Sequence, residues 1–116
     1  MSTPLYFGRD VQGYNAYAPS PSTNIQSATI TAGVARSITV PASHQVWIAS
    51  FNYTSGASVY VDFTGAVAAV PTGSTFAATT STLNPGQRTV LGGSTISVIT
   101  GNTSVDVVIE LYPTNY

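Results

Sequence analysis

The chain has 116 residues, of which 43% are hydrophobic and only 6% are charged, and its formal net charge is −1. This length and this apolar content predict one domain with one hydrophobic core. The weak charge excludes the long-range positive field that supplies most non-specific affinity for nucleic acids, so we expect no direct binding to DNA or RNA.

A weakly charged surface gives little electrostatic repulsion between copies, so self-association through apolar patches is expected. The chain has no cysteine, which removes disulfides, thiolate nucleophiles and cysteine-ligated zinc. Residues 1–4 carry neither the basic nor the apolar region of a secretion signal, and no run approaches the roughly 18 apolar residues of a membrane span. We therefore expect a cytosolic product without a membrane partner.

Residues 1–24 are predicted to form an extended N-terminal arm. Their aromatic side chains are separated by glycine and proline and follow neither a period of 2 nor one of 3.6. Disordered tails are usually poor in aromatics, so these side chains are expected to need a partner surface, although an unstructured tail is the alternative. The predicted partner-binding residues of the arm are Tyr6, Phe7, Arg9, Asp10, Tyr14 and Tyr17.

Residues 25–116 are predicted to form one β-sandwich domain. Its first strands are Thr29–Thr31 and Val34–Val40, which we expect to pair around Gly33. The run Gln45–Tyr53 alternates, and because both of its faces are partly apolar we expect a central strand. The side chains predicted to share one face of that strand are Trp47, Ala49, Phe51 and Tyr53.

Two short links in the rest of the domain predict hairpins. The link Ser55–Ala57 precedes the alternating run Val59–Thr64 and is predicted to be the first hairpin turn. Gly101–Asn102 is predicted to be the second, between the alternating runs Ile96–Thr100 and Val105–Tyr112.

The stretch Gly65–Thr82 is the least regular, and its Gly, Pro and Thr content predicts a long connection that contains one strand. Pro85–Gly86 is predicted to be a turn before the short strand Arg88–Leu91. These patterns give about eight strands and no helix. They predict an all-β fold, an antiparallel β-sandwich or jelly roll with an extended N-terminal arm, and spacing alone does not choose between the two.

The single histidine, His44, lies next to Ser43 and suggests a Ser-His-Asp triad with Asp62 or Asp106. Adjacent residues on a strand point to opposite faces, so we expect no bond between Ser43 and its neighbour. The preferred interpretation is a loop between two strands.

Asp106 and Glu110 are predicted to share a face of one strand, about 13 Å apart at roughly 3.3 Å per residue. That separation exceeds the roughly 5–9.5 Å of a glycosidase pair, so we expect solvated acids on an outward face. No spacing typical of a zinc, calcium or phosphate site is present, and Gly86 and Gly92–Gly93 are interpreted as turns. The sequence thus predicts no enzyme, no metal and no cofactor.

Five aromatic residues raise the possibility of a sugar-stacking platform. Three of them lie on one face of a run that also carries Val46 and Ile48, so core packing is the preferred interpretation. The five are Trp47, Phe51, Tyr53, Tyr60 and Phe63.

The arm sequence LYFGRDVQGYNAYAP, followed by a cysteine-free domain rich in Ser, Thr and Val that ends DVVIELYPTNY, resembles small virion structural proteins of tailed bacteriophages. Among these it is most similar to head decoration (cement) proteins. The resemblance concerns the general character of the sequence along the whole chain and includes no chemical motif. It implies a β-rich module, often trimeric, that lies outside an icosahedral head over the junctions between major capsid proteins. The arm would then order on the capsid, adding a strand to a loop edge there.

The predicted function is therefore that of a non-enzymatic decoration protein, a homotrimer bound to the major capsid protein on the capsid exterior after synthesis in the host cytoplasm. One alternative is a receptor- or glycan-binding module associated with the tail. Another is a head-completion or tail component of the virion. Deletion of residues 1–24 is expected to leave the β domain folded and to weaken its binding to the capsid or to a neighbouring copy.

Overall fold

A computed structural model describes residues 21–114 of the chain. These residues form two four-stranded antiparallel sheets, and the described part contains no helix. The strands are β1 (Asn24–Thr31), β2 (Arg36–Thr39), β3 (Val46–Tyr53), β4 (Val59–Asp62), β5 (Ser81–Leu83), β6 (Gln87–Leu91), β7 (Thr95–Thr100) and β8 (Ser104–Pro113).

The strand order is β1-β8-β3-β6 in the first sheet and β2-β7-β4-β5 in the second. Four of the pairings are nested, because β1 pairs with β8, β2 with β7, β3 with β6 and β4 with β5. The chain therefore pairs with itself as one long hairpin whose turn is the connection 63–80. Only β4 and β5 are consecutive strands of the same sheet; every other link among the described strands crosses between the sheets.

The inner faces of the two sheets share one hydrophobic core in a sandwich-like arrangement. The predicted alternation is confirmed in β3, which lies between β8 and β6 as expected of a central strand. Each fully buried aliphatic side chain contributes roughly 1.5–3 kcal/mol relative to exposure. The core residues are Ile30, Val40, Trp47, Ala49, Phe51, Val59, Val61, Val90, Ile96, Val98, Val105, Val107, Ile109 and Leu111.

Both predicted hairpins are wrong, although the chain reverses direction at each predicted turn. The link after β3 has a turn bond from Ala57 N to Thr54 O and a positive φ of 78° at Gly56. This link crosses from the first sheet to the second, where β4 pairs with β7 and β5. Likewise the link at Gly101–Asn102 carries the chain from β7 in the second sheet to β8 in the first.

The predicted pairing around Gly33 is also wrong, for the same reason. Gly33 adopts a positive φ of 74°, and its N–H donates to the carbonyl of Thr100 at 2.9 Å. The strands on either side of this turn lie in different sheets. A turn signal reports that the chain reverses, but not which sheet the next strand joins.

The irregular stretch after β4 ends in the short strand β5, in agreement with a long connection containing one strand. The link 84–86 bends at Asn84, one residue before the predicted Pro85–Gly86 turn, and leads into β6; Gly92 and Gly93 form the turn between β6 and β7. β1 begins at Asn24, and Ser22 joins it to the sheet by donating its hydroxyl to the carbonyl of Leu111 at 2.6 Å. Most of the predicted arm lies outside the described residues.

Candidate functional site

Ser43 and His44 lie in the turn region between β2 and β3. The hydroxyl of Ser43 is 3.3 Å from Nδ1 of His44, so the expectation that these neighbours do not bond is wrong. That expectation assumed strand geometry, whereas the preferred loop interpretation is the one the structure bears out. The imidazole packs edge-on against Trp47, whose Nε1–H donates to the carbonyl of His44 at 3.2 Å.

Neither candidate acid joins this Ser–His pair. Asp62 accepts hydrogen bonds from Thr64 and Thr80, and Asp106 accepts one from the hydroxyl of Thr29 at 2.5 Å. A triad needs a carboxylate that orients the imidazole. The Ser–His contact is therefore a local turn interaction.

Asp106 and Glu110 lie on the outer face of the first sheet, as the alternation of β8 predicted. Glu110 accepts a hydrogen bond from the hydroxyl of Tyr112 at 3.2 Å. Burial and the neighbouring carboxylate raise the pKa of Tyr112 above its usual value. Each acid is thus held by a hydroxyl group of its own sheet.

Asp62 is different, because only 1% of its surface is exposed. It accepts 2.8 Å and 2.6 Å bonds from the amide and hydroxyl of Thr64, and a 2.5 Å bond from the hydroxyl of Thr80. Burial acts to raise the pKa of Asp62, but these bonds and one from the amide of Ala66 outweigh it and lower the pKa. The carboxylate thereby ties together both ends of the connection 63–80.

Two serines on the second sheet hold the middle of the same connection. The amide of Ala68 donates to the hydroxyl of Ser97 at 3.0 Å, and the amide of Ala69 donates to that of Ser81 at 3.1 Å. Ala68 and Ser97 are both buried. Residues 63–70 therefore cover part of the outer face of the second sheet.

Beyond these anchors, residues 71–79 form a wholly exposed excursion, here called the Phe76 loop. Phe76 is fully exposed, and its neighbours are small or hydroxylated residues. Sequence reasoning placed a connection here but gave Phe76 no role. The available signal was a single aromatic ring in a run of Gly, Ser, Thr and Ala with no strand alternation.

An apolar groove, here called the β1–β2 groove, opens between the edge strands of the two sheets. Gln26 and Ala28 lie on the inner face of the first sheet, opposite Ile109 and Val107, yet both are exposed. The opening arises because β2 has four residues where β1 has eight. The lining residues are Gln26, Ser27, Ala28, Ile30, Arg36, Ser37, Ile38, Ile96, Val98, Val107 and Ile109.

Four of the five aromatics considered as a sugar platform belong to the core or its margin, and Tyr60 does not. Trp47 and Phe51 are buried, and Phe63 packs edge-on against Phe51 at 5.7 Å between ring centroids. The hydroxyl of Tyr53 donates to the carbonyl of Pro85 at 2.8 Å, and burial raises its pKa strongly while nearby Arg88 lowers it. Tyr60 is half-buried on β4.

Two further observations concern the described residues as a set. Residues 21–114 contain no group of three or more His, Cys, Asp or Glu placed to hold a metal ion. No helix in that range is long and apolar enough to cross a membrane. The predicted arm residues lie outside the described part, so their role stays a prediction.

Two surfaces remain as candidates for binding, the Phe76 loop and the β1–β2 groove. Searches of protein-family models, curated proteins and solved structures found no match to this chain.

Proposed function

We propose that the chain is a non-enzymatic structural protein of a tailed-phage virion, a decoration protein on the outside of the head. In this proposal it is a homotrimer that binds across junctions of the major capsid protein and stabilises the shell. The observation that carries the proposal is the strand order of the two sheets, which we assign to the jelly roll.

The nested pairing supports the jelly-roll assignment. Rolling a hairpin of eight strands around a barrel axis places alternate pairs in opposite sheets, which yields β1-β8-β3-β6 facing β2-β7-β4-β5. Jelly rolls of this kind, built from two Greek keys, recur in viral capsid domains and in lectins. The assignment narrows the class of protein without naming a ligand.

The distribution of charge supports a role in contacts between proteins. No charged residue occurs from Phe63 to Gln87, a stretch that includes the whole Phe76 loop. Such a surface offers hydroxyl groups and small apolar contacts, each of them weak. A decoration protein gains its affinity from many equivalent contacts repeated by the symmetry of the shell, so weak individual contacts suffice.

Heads of the encoding phage, prepared from a strain that lacks this gene, provide the direct test. The purified chain is expected to sediment with these heads, to saturate at a fixed ratio to the major capsid protein, and to raise the temperature at which heads release their DNA. Absence of the chain from intact virions, together with no binding to the heads, would overturn the proposal.

The contribution of the arm is tested with a variant that lacks residues 1–20. This cut keeps Ser22, whose hydroxyl bonds to Leu111, and all of β1. The variant is expected to retain the β-sheet circular dichroism of the full chain and to bind heads at least tenfold more weakly. Unchanged head binding would remove the arm from the proposed interface.

A receptor- or glycan-binding module associated with the tail is the second candidate. The occurrence of the same strand order in lectins and the fully exposed ring of Phe76 favour it. A reproducible hit on a glycan array that disappears in Phe76→Ser would support this alternative over the decoration protein.

A further inference from the structure

We propose that the Phe76 loop of one copy inserts its phenyl ring into the β1–β2 groove of a second copy. The inference rests on the homo-oligomer of the proposed function and adds which two surfaces form it. It concerns a contact between copies, so it can be measured without a capsid.

The Phe76 loop has the form of an anchored projection. Its base is fixed by the bonds that Asp62 accepts from Thr64 and Thr80, and by the bond between Ala69 and Ser81. A fixed base lowers the conformational entropy that binding would otherwise cost. The Phe76 loop therefore has a fixed base and presents an exposed phenyl ring. Aromatic anchors of this kind contribute much of the binding energy of protein interfaces.

The β1–β2 groove has the size and chemistry of a receptor for one ring. It is an open groove of about 90 Å³ lined mainly by aliphatic side chains, including Ile30 and Ile109 of the core and the half-buried Ile38 beside it. An apolar cavity of about 150 Å³ is known to take up benzene, whereas ligand pockets for larger molecules run to roughly 300–1,000 Å³. At about 90 Å³ the open groove is smaller than either, so a phenyl group inserted in part suits it better than a larger ligand does.

Charge does not oppose this contact. The groove carries one charged lining residue, Arg36, and the stretch from Phe63 to Gln87 carries none. A guanidinium group near an aromatic face is attracted to it by a cation–π interaction. Arg36 at the groove therefore favours an aromatic occupant over an equally large aliphatic one.

The two surfaces belong to different strands of the second sheet. The groove opens beside β2, and the Phe76 loop leaves the sheet between β4 and β5, with β7 separating β2 from β4. Because the inserting loop and the receiving groove are different surfaces of the chain, the contact is heterologous. Each copy inserts its loop into one neighbour and receives the loop of another. Such contacts generate a closed ring when the rotation between neighbours closes, as it does for a trimer.

Cysteine cross-linking tests the contact directly, because the native chain contains no cysteine. Phe76→Cys and Ala28→Cys are prepared separately, and both positions are exposed, so neither change is expected to disturb folding. In an oxidised mixture, we expect a disulfide that joins one Phe76→Cys chain to one Ala28→Cys chain. Its yield is expected to be at least tenfold higher than that of the mixed pair formed when Phe76→Cys is mixed with Leu91→Cys. Leu91 is a matched control, since it is exposed but lies on β6, away from the groove.

The double variant Phe76→Cys with Ala28→Cys distinguishes a ring from a chain. A closed trimer is expected to give a ladder that ends at three copies, whereas an open filament would continue beyond three. Equal yields in the Ala28 and Leu91 mixtures would overturn the inference.

Light scattering supplies a second readout that needs no cysteine. Phe76→Ser is expected to weaken self-association by roughly ten- to a hundredfold per contact, in line with the loss of a buried aromatic side chain. Leu91→Ser is expected to leave the mass unchanged. A native chain that is monomeric at high concentration would overturn the inference, as would a mass that depends on residues 1–20 but not on Phe76.

The outcomes also separate this contact from the proposed function. Cross-linking through Phe76 and Ala28 without any binding to heads would contradict the decoration role alone. Binding to heads by a chain that fails to cross-link would contradict the Phe76 contact alone.

Discussion

Asp62 is a carboxylate that the fold removes almost completely from solvent, in a chain with few charges. A buried carboxylate is costly unless hydrogen bonds compensate it, and here Thr64 and Thr80 supply them. All buried side-chain nitrogen and oxygen atoms of the described residues have such partners. Asp62 thus stabilises the closure of the connection 63–80.

The pH dependence of stability follows from the lowered pKa of Asp62. Because its folded pKa lies below the unfolded value of about 3.9, its contribution is present above pH 4 and is lost as the pH falls through the folded pKa. Thermal unfolding followed from pH 7 to pH 2 is expected to show this loss. Asp62→Asn should remove it and should lower the free energy of unfolding at pH 7 by about 1–3 kcal/mol.

Asp106→Asn is the matched control, because Asp106 is exposed and its carboxylate accepts a bond from the hydroxyl of Thr29 on the sheet surface. Its effect at pH 7 is expected to stay within about 0.5 kcal/mol. Equal effects of the two substitutions would contradict the role assigned to Asp62.

Gly92 is required because the backbone approaches it closely. A Cβ atom at this position would lie 2.1 Å from the carbonyl oxygen of His44 and 3.0 Å from that of Pro41. The His44 carbonyl also accepts the indole N–H of Trp47, so it cannot move without disturbing the core. The turn between β6 and β7 thus packs directly on the Ser43–His44 turn.

We expect Gly92→Ala to lower the free energy of unfolding by about 1–3 kcal/mol, since the added methyl overlaps backbone atoms. Gly86→Ala is the control, because a methyl group at that position would have open space for 4 Å around it. That change is expected to be neutral or to stabilise by up to about 1 kcal/mol. Urea unfolding of both variants measures the difference, and an unaffected Gly92→Ala would refute the close approach.

At the scale of elements, two asparagines hold the link between β3 and β4 in its crossing path. Asn84 accepts from the amide of Val59 at 2.7 Å and donates to the carbonyl of Ala57 at 2.9 Å. Asn102 accepts from the amide of Ser58 at 2.9 Å. Side chains from two other links thus supply hydrogen bonds to a segment that leaves one sheet before it has joined the next.

Asn84 makes these bonds and also has a positive φ of 44°. Two substitutions can therefore separate the contribution of the hydrogen bonds from that of the backbone conformation. Asn84→Gly keeps the backbone conformation and loses the bonds, so we expect a loss of about 1–2 kcal/mol. Asn84→Ala loses the bonds and adds left-handed strain, so a loss about 1 kcal/mol larger is expected. Denaturant unfolding gives the order, and a glycine variant as stable as the native chain would show that the bonds contribute nothing.

At the scale of the whole molecule, the nested pairing joins strands that are distant in sequence. β1 pairs with β8, so the beginning and the end of the described chain must meet before the first sheet is complete. β8 also pairs with β3 and supplies Val105, Val107, Ile109 and Leu111 to the core. The entropic cost of closing such long loops must therefore be met before strand pairing can stabilise the fold.

Refolding is therefore expected on the millisecond-to-second timescale typical of β domains with distant contacts. Trp47 is the only tryptophan and is completely buried, so its fluorescence after dilution from urea reports core formation. Complete recovery of the signal in less than a millisecond would contradict the expectation.

The sequence by itself determined the directions of side chains along individual strands. Alternation in β3 and β8 identified their core residues in advance, because the period of a strand is set by local backbone geometry. Turns at Gly56 and Gly92–Gly93 were predictable for the same reason, since the conformations of Gly are local properties.

Only the tertiary structure decided which strands pair. A turn such as the one at Gly56 reverses the chain equally well into the same sheet or into the facing one, and the choice depends on the burial of both faces by distant strands. The same packing buries Asp62, leaves Phe76 in solvent and opens the groove beside Ala28. These features depend on how the strands and their connections assemble in space, which no local pattern encodes.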